Sequence, residues 1–126
     1  MIVLDANYIL RFLLNDNAAM FAEAREVISR EQCFVLNEII AEVVYVLSGV
    51  YKMPKSLIAQ TLVKFISLEN LTMHESKSVL IEALNFYESK NIDFIDCCLC
   101  ALREKYRVKT FDKKLNKCLQ LNKIHS

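Results

Sequence analysis

The sequence predicts an α/β fold built on a parallel sheet, and three observations predict it. The chain opens on an unbroken apolar run, Ile2-Val3-Leu4, which suits a strand buried on both faces of a parallel sheet. A second apolar run, Cys33 to Leu36, and the short segment Leu71-Thr72-Met73 have strand length and alternate with helix-length stretches. The 126 residues include one Gly and one Pro, so little of the chain is available for loops or linkers. Its length predicts one domain, residues 1–126, able to bury a real core and too short for two.

Taken in order, Asp5 closes the first strand, and Tyr8 to Leu14, apolar except for Arg11, reads as a short helix packed on the sheet. Asn15-Asp16-Asn17 breaks it. Ala18 to Arg30 is amphipathic, with Met20, Ala24, Val27 and Ile28 set against Glu23, Arg25, Glu26 and Arg30. After the Cys33 to Leu36 strand, Asn37 is expected to cap a helix with Glu38 in its first turn, where the helix dipole favours an anion. From Ile39 to Tyr51 the sole charged residue is Glu42. A helix so apolar is expected to be buried, and a buried carboxylate must be paired, protonated or bound to a cation.

Gly49 and Pro54 bracket a turn, with Pro54 in the first turn of a helix running to about Leu68. His74-Glu75-Ser76 opens a helix through Ser89 whose inner stripe is Val79, Leu80, Ala83, Leu84 and Tyr87. Asp93 is expected to cap the next helix, with Asp96 at its third position as in a capping box. Val108-Lys109-Thr110 is expected to be the last strand, Phe111 turns the chain, and Asp112 precedes a helix from Lys113 to Leu121.

The formal net charge is +1, so binding to nucleic acid through the overall field is excluded, and any such contact must be local. Basic residues concentrate late, at Arg103, Lys105, Arg107, Lys109, Lys113, Lys114, Lys117 and Lys123, and are read as a solvated face. The apolar fraction of 54% exceeds the usual share and points to a surface meant for a partner. The N-terminus lacks the pattern of a signal peptide and no apolar run is long enough to span a membrane, so a cytoplasmic protein is expected. Five cysteines, an odd count, are accordingly expected as reduced thiols. Zinc is not expected at Cys97-Cys98-Leu99-Cys100, because Cys98 points away from the helix face shared by the other two, and His74 and His125 are remote in sequence.

Asp93, Asp96 and Asp112 are each explained singly as helix caps. Their conjunction with Asp5 and Glu42 is what points to chemistry. Asp5 and Asp112 follow strands, Asp96 opens a helix, and Glu42 lies in the second turn of another. Right-handed crossovers place such junctions on one edge of a parallel sheet, where open α/β folds take their ligands. Four carboxylates there would repel each other, and a divalent cation is the simplest relief.

The stretches Ile2 to Asp16, Ile40 to Leu47 followed by Tyr51, Asp93-Phe-Ile-Asp96 and Thr110-Phe-Asp112 resemble, in order and spacing, the PIN-domain ribonucleases, particularly the VapC-type toxins of toxin–antitoxin pairs. The resemblance covers essentially the whole chain. It implies a three-layer α/β/α sandwich with a central parallel sheet and an endoribonuclease dependent on Mg²⁺ or Mn²⁺, leaving a 5′-phosphate and a 3′-hydroxyl. Asp5, Glu42, Asp96 and Asp112 match the family's acidic quartet, and Asn7 and Thr110 match polar positions that support it. Ala6 stands where Thr is frequent, Cys97 where Ala is usual, and the Gly often found before the last strand is absent; none of these departures removes a carboxylate. Asp5 and Asp96 are assigned as direct ligands, with Glu42 and Asp112 holding waters or a second ion. Arg11, Lys113 and Lys114 are the expected RNA contacts. The implied partners are RNA, a small antitoxin protein and a second copy of the chain in a homodimer. Two rival readings are a PIN-type nuclease of RNA processing or of DNA, and a non-catalytic module binding a basic peptide.

Overall fold

A computed structural model describes residues 1–121, so Lys123 and His125 lie outside the described residues. The chain divides into two compact units, Met1–Glu75 and the residues from Ser76 on.

The first unit holds β1 (Ile2–Val3), α1 (Ala6–Leu14), α2 (Ala18–Arg30), β2 (Cys33–Val35), α3 (Asn37–Gly49), α4 (Lys55–Ile66) and β3 (Leu71–Met73). The strands form a parallel sheet in the order β1-β2-β3, with Ile2 opposite Cys33 and Cys33 opposite Leu71. The α/β class is therefore as predicted. Two helices connect each pair of neighbouring strands, as parallel pairing requires a long crossover. Ladder bonds run from the Ile2 N–H to the Gln32 carbonyl at 2.9 Å and from the Leu4 N–H to the Phe34 carbonyl at 3.0 Å. Ile9, Val35, Ile40, Val43, Leu47 and Ile58 are fully buried. The Phe12 ring packs on Phe21 and Phe65, with centroids 6.4 and 6.0 Å away. Asn15 ends α1 in the left-handed region, φ 50°, a conformation Asn tolerates better than most residues.

Two expectations for this unit are corrected. Ile2 and Val3 are exposed rather than buried on both faces, because β1 is an edge strand and β2 is the central one. Asn37 is not a cap: Leu36 takes that position without a side-chain bond, and the Asn37 Oδ1 is buried without a hydrogen-bond partner among the described residues.

The second unit holds α5 (Lys77–Ser89), α6 (Phe94–Ala101), a single 3₁₀ turn over Leu102–Glu104, and α7 (Lys113–Leu119). Ser76 caps α5, its Oγ accepting the Val79 N–H at 3.4 Å. Leu80, Ala83, Leu84 and Tyr87 form the buried stripe, and the Tyr87 ring meets Phe94 of α6 edge-on at 6.0 Å.

Three expectations fail here, each for a physical reason. Val108 to Thr110 forms no strand among the described residues; with one apolar side chain between Arg107 and Lys109, it has little to bury. Arg103 does not belong to a solvated face, being 7% exposed. It donates to Glu82 Oε1 at 3.1 Å and to the Cys100 carbonyl at 3.0 Å, and lies 5.3 Å over the Phe86 ring. Finally, the cysteines are not all thiols: Cys100 of α6 and Cys118 of α7 are joined by a disulfide, with Cα atoms 6.0 Å apart. Closing a loop across a sequence separation of 18 constrains the unfolded chain, a stabilisation of about 3 kcal/mol.

No described helix is long and apolar enough to cross a membrane.

Candidate functional site

Most of the candidate carboxylates are placed by the same local hydrogen bond, the side chain of a helix cap accepting an amide from the first turn. In the first unit Asp5 follows β1 and caps α1, its Oδ1 accepting the Tyr8 N–H at 2.9 Å. The bond satisfies one of the helix's orphan amides and fixes the carboxylate at the carboxyl end of the strand. Asn7 is exposed in the same turn.

Glu42, expected inside a buried helix, is exposed. Its apolar neighbours Ala41, Val43 and Val44 turn to the core, whereas Glu38, Glu42 and Tyr45, spaced four and three apart, share an exposed strip of α3. Sequence hydropathy counted the neighbours but not the phase. Among the described residues no Lys or Arg pairs with Glu42.

In the second unit Asp93 caps α6, its Oδ1 accepting the Asp96 N–H at 3.0 Å, which places Asp96 half-buried in the first turn as predicted. Asp112 caps α7 through an Oδ2 that accepts the Leu115 N–H at 2.8 Å. Thr110 steadies this turn from both sides. Its Oγ1 accepts the Asp112 N–H at 3.0 Å and its carbonyl accepts from Asn116 Nδ2 at 2.9 Å. Burial raises the Asp96 carboxyl above its usual range, and the charges of Asp93 and Asp112 raise it further.

An acid whose folded pKa is raised binds protons more readily folded than unfolded, so it stabilises the fold at low pH and loses that contribution as pH rises from 3.8 through the raised value. In EDTA, Asp96→Asn is expected to melt above the wild type at pH 7, with the gap closing as pH falls towards 4; thermal melts at a series of pH values check this. A gap independent of pH would place the effect elsewhere.

No group of three or more His, Cys, Asp or Glu side chains that could hold a metal gathers among the described residues. Asp96 and Asp112 do supply oxygen-only donors whose mutual repulsion a cation would relieve. That chemistry fits Mg²⁺ or Mn²⁺ rather than a soft metal. Thiol ligation is disfavoured at Cys98, where burial, with Cys97 and Asp93 adding to it, pushes the thiol up to about 12.

Of the expected RNA contacts, Arg11 is already engaged. Its NH1 is held by both oxygens of Asp16 at 2.8 and 2.7 Å, and its NH2 donates to the Tyr51 hydroxyl at 3.2 Å. Asp16 and Tyr51, for which the sequence predicts no role, tie the end of α1 to the chain beyond α3. Lys113 and Lys114 are exposed in the first turn of α7. The helix dipole disfavours cations there, so helix stability does not account for the pair.

A family model described as PIN domain matches residues 2–118. No curated protein and no solved structure matches the chain significantly.

Proposed function

Because the chain belongs to the PIN-domain family, whose fold is that of nucleases generally dependent on a divalent metal, we propose that it is an endoribonuclease and the toxin of a toxin–antitoxin pair. The observation that carries the reading is the match of the family model to residues 2–118, together with the acids that stand at the starts of α1, α6 and α7. The reading takes residues 1–126 as one functional domain.

Bound Mg²⁺ or Mn²⁺ supplies a lowered pKa for water and an offset to the charge building on the phosphate. In the proposed roles Asp5 and Asp96 contribute ligand oxygens, while Glu42 and Asp112 accept hydrogen bonds from the attacking water and orient it for in-line displacement. Asp93 and Thr110 fix the helix starts that present Asp96 and Asp112, and Asn7 supports the site beside Asp5. With Arg11 engaged, phosphate contacts fall to Lys113 and Lys114. The protein partners in this reading are a small antitoxin and a second copy of the chain, and exposed Val50, Tyr51 and Leu57 offer apolar surface to be covered.

The test is cleavage of a 3′-labelled RNA by the purified chain in Mg²⁺, Mn²⁺ or EDTA. Metal-dependent products carrying a 5′-phosphate, and growth arrest relieved by a co-expressed neighbouring antitoxin gene, are expected. An inert chain in every metal would overturn the nuclease, and cleavage without growth arrest would overturn the toxin role. Lys113→Ala with Lys114→Ala is expected to lower the slope of log affinity for single-stranded RNA against log salt by about 1.4, roughly 0.7 per lost contact. An unchanged slope would remove the pair from the binding surface.

A further inference from the structure

The disulfide in the second unit joins the two helices that present its candidate ligands. Cys100 lies four residues, about one turn, beyond Asp96 on α6, and Cys118 lies on α7, the helix capped by Asp112. The carboxylates stand at the starts of these helices and the bridged sulfurs farther along them. α7 is only seven residues long, and its buried residues are Leu115 and Cys118 alone. Its apolar hold is therefore small. Cys118 is both half of that hold and the point of covalent attachment.

We propose that Cys100 and Cys118 form a redox switch on the nuclease site, the disulfide clamping α7 to α6 so that Asp112 stays beside Asp96, and reduction releasing α7 and weakening the hold on the divalent cation. The inference rests on the nuclease reading and adds its regulation. The oxidant is a low-molecular-weight disulfide of the glutathione type. One cysteine thiolate attacks it, breaking its S–S bond, expelling one small thiolate and forming a mixed disulfide. The second cysteine thiolate then displaces the other small thiolate and closes the Cys100–Cys118 bond. Two electrons pass to the small disulfide, and the two protons lost by the cysteines end on the two small thiols. Both cysteines are buried, so exchange proceeds through a lifted α7.

The experiment holds the full chain in oxidised or reduced glutathione and confirms the state of each cysteine by alkylation and peptide mass. Lys113, Lys114 and Lys117 make α7 a target for trypsin, which reads the helix directly. Reduction is expected to speed cutting within α7 about tenfold, shrink the Mn²⁺-induced rise in melting temperature, and lower RNA cleavage several-fold. Cys118→Ala should match the reduced wild type and ignore the redox buffer, whereas Cys98→Ala should respond as the wild type does. Because the reduced wild type needs no substitution, a misfolded variant leaves the test intact. Equal proteolysis and equal metal response in both states overturn the switch, as do thiols that stay free in oxidised glutathione. Undiminished cleavage after verified reduction overturns the switch alone. Redox-dependent proteolysis with no cleavage in either state overturns the nuclease reading and the regulatory role with it.

Discussion

Asp5→Asn is expected to reduce metal-dependent RNA cleavage by on the order of 10²–10³-fold or more, the scale on which losing one preorganised electrostatic group acts, while leaving the fold intact. The separation of the two effects follows from the cap. Asp5 Oδ1 accepts the Tyr8 N–H at 2.9 Å, and an asparagine oxygen can accept the same bond without the negative charge. Asp5→Ala removes bond and charge together and is expected to cost about 1 kcal/mol of stability in addition. Urea unfolding of the two variants should place Asn within a few tenths of a kcal/mol of the wild type and Ala clearly below it, with both inactive. Full activity in Asp5→Asn would remove Asp5 from the mechanism.

The largest stability effect is expected at Arg103. Its guanidinium is buried with Glu82 at 3.1 Å, is held by the Cys100 carbonyl and covers the Phe86 ring. Removing one member of a buried pair leaves the other desolvated and unmatched, at a cost of about 3–5 kcal/mol. Arg103→Met should fall in that range by urea unfolding. Replacing both partners, Arg103→Met with Glu82→Leu, should recover most of the loss, because well-packed apolar groups often substitute for a buried ion pair without penalty. A double-mutant cycle measures the coupling. If the single variant unfolds at the wild-type urea concentration, the buried pair contributes nothing to stability.

What could be read from the chain beforehand was local. Ala18 to Arg30 is a helix with the expected bounds because its apolar period and its Asn17 cap act within the segment. Asp93 and Asp96 fall where a capping pattern puts them for the same reason. The misreadings share one cause, dependence on partners distant in sequence. Whether Ile2 and Val3 are covered depends on which strands flank β1, and whether Arg103 meets water depends on Glu82, twenty-one residues earlier. Glu42 looked buried because an average over α3 erases the phase that sets it on the outer strip. The bridge between Cys100 and Cys118 leaves no local mark, since an odd count of cysteines and a spacing of 18 single out no pair. Asp112 is steadied from its own turn by Thr110 and Asn116, which is why its place at the start of α7 could be read locally.

Asp5, Asp93 and Asp112 each have one oxygen engaged by a backbone amide, and among the described residues nothing donates to the other, which is left for outside company. Their torsional freedom is surrendered when the helices form, so an arriving ligand meets oxygens that are already still and loses little further entropy in being gripped. The same economy makes the sites intolerant of length: a glutamate at any of them would carry the charge one methylene farther and give up the anchoring amide.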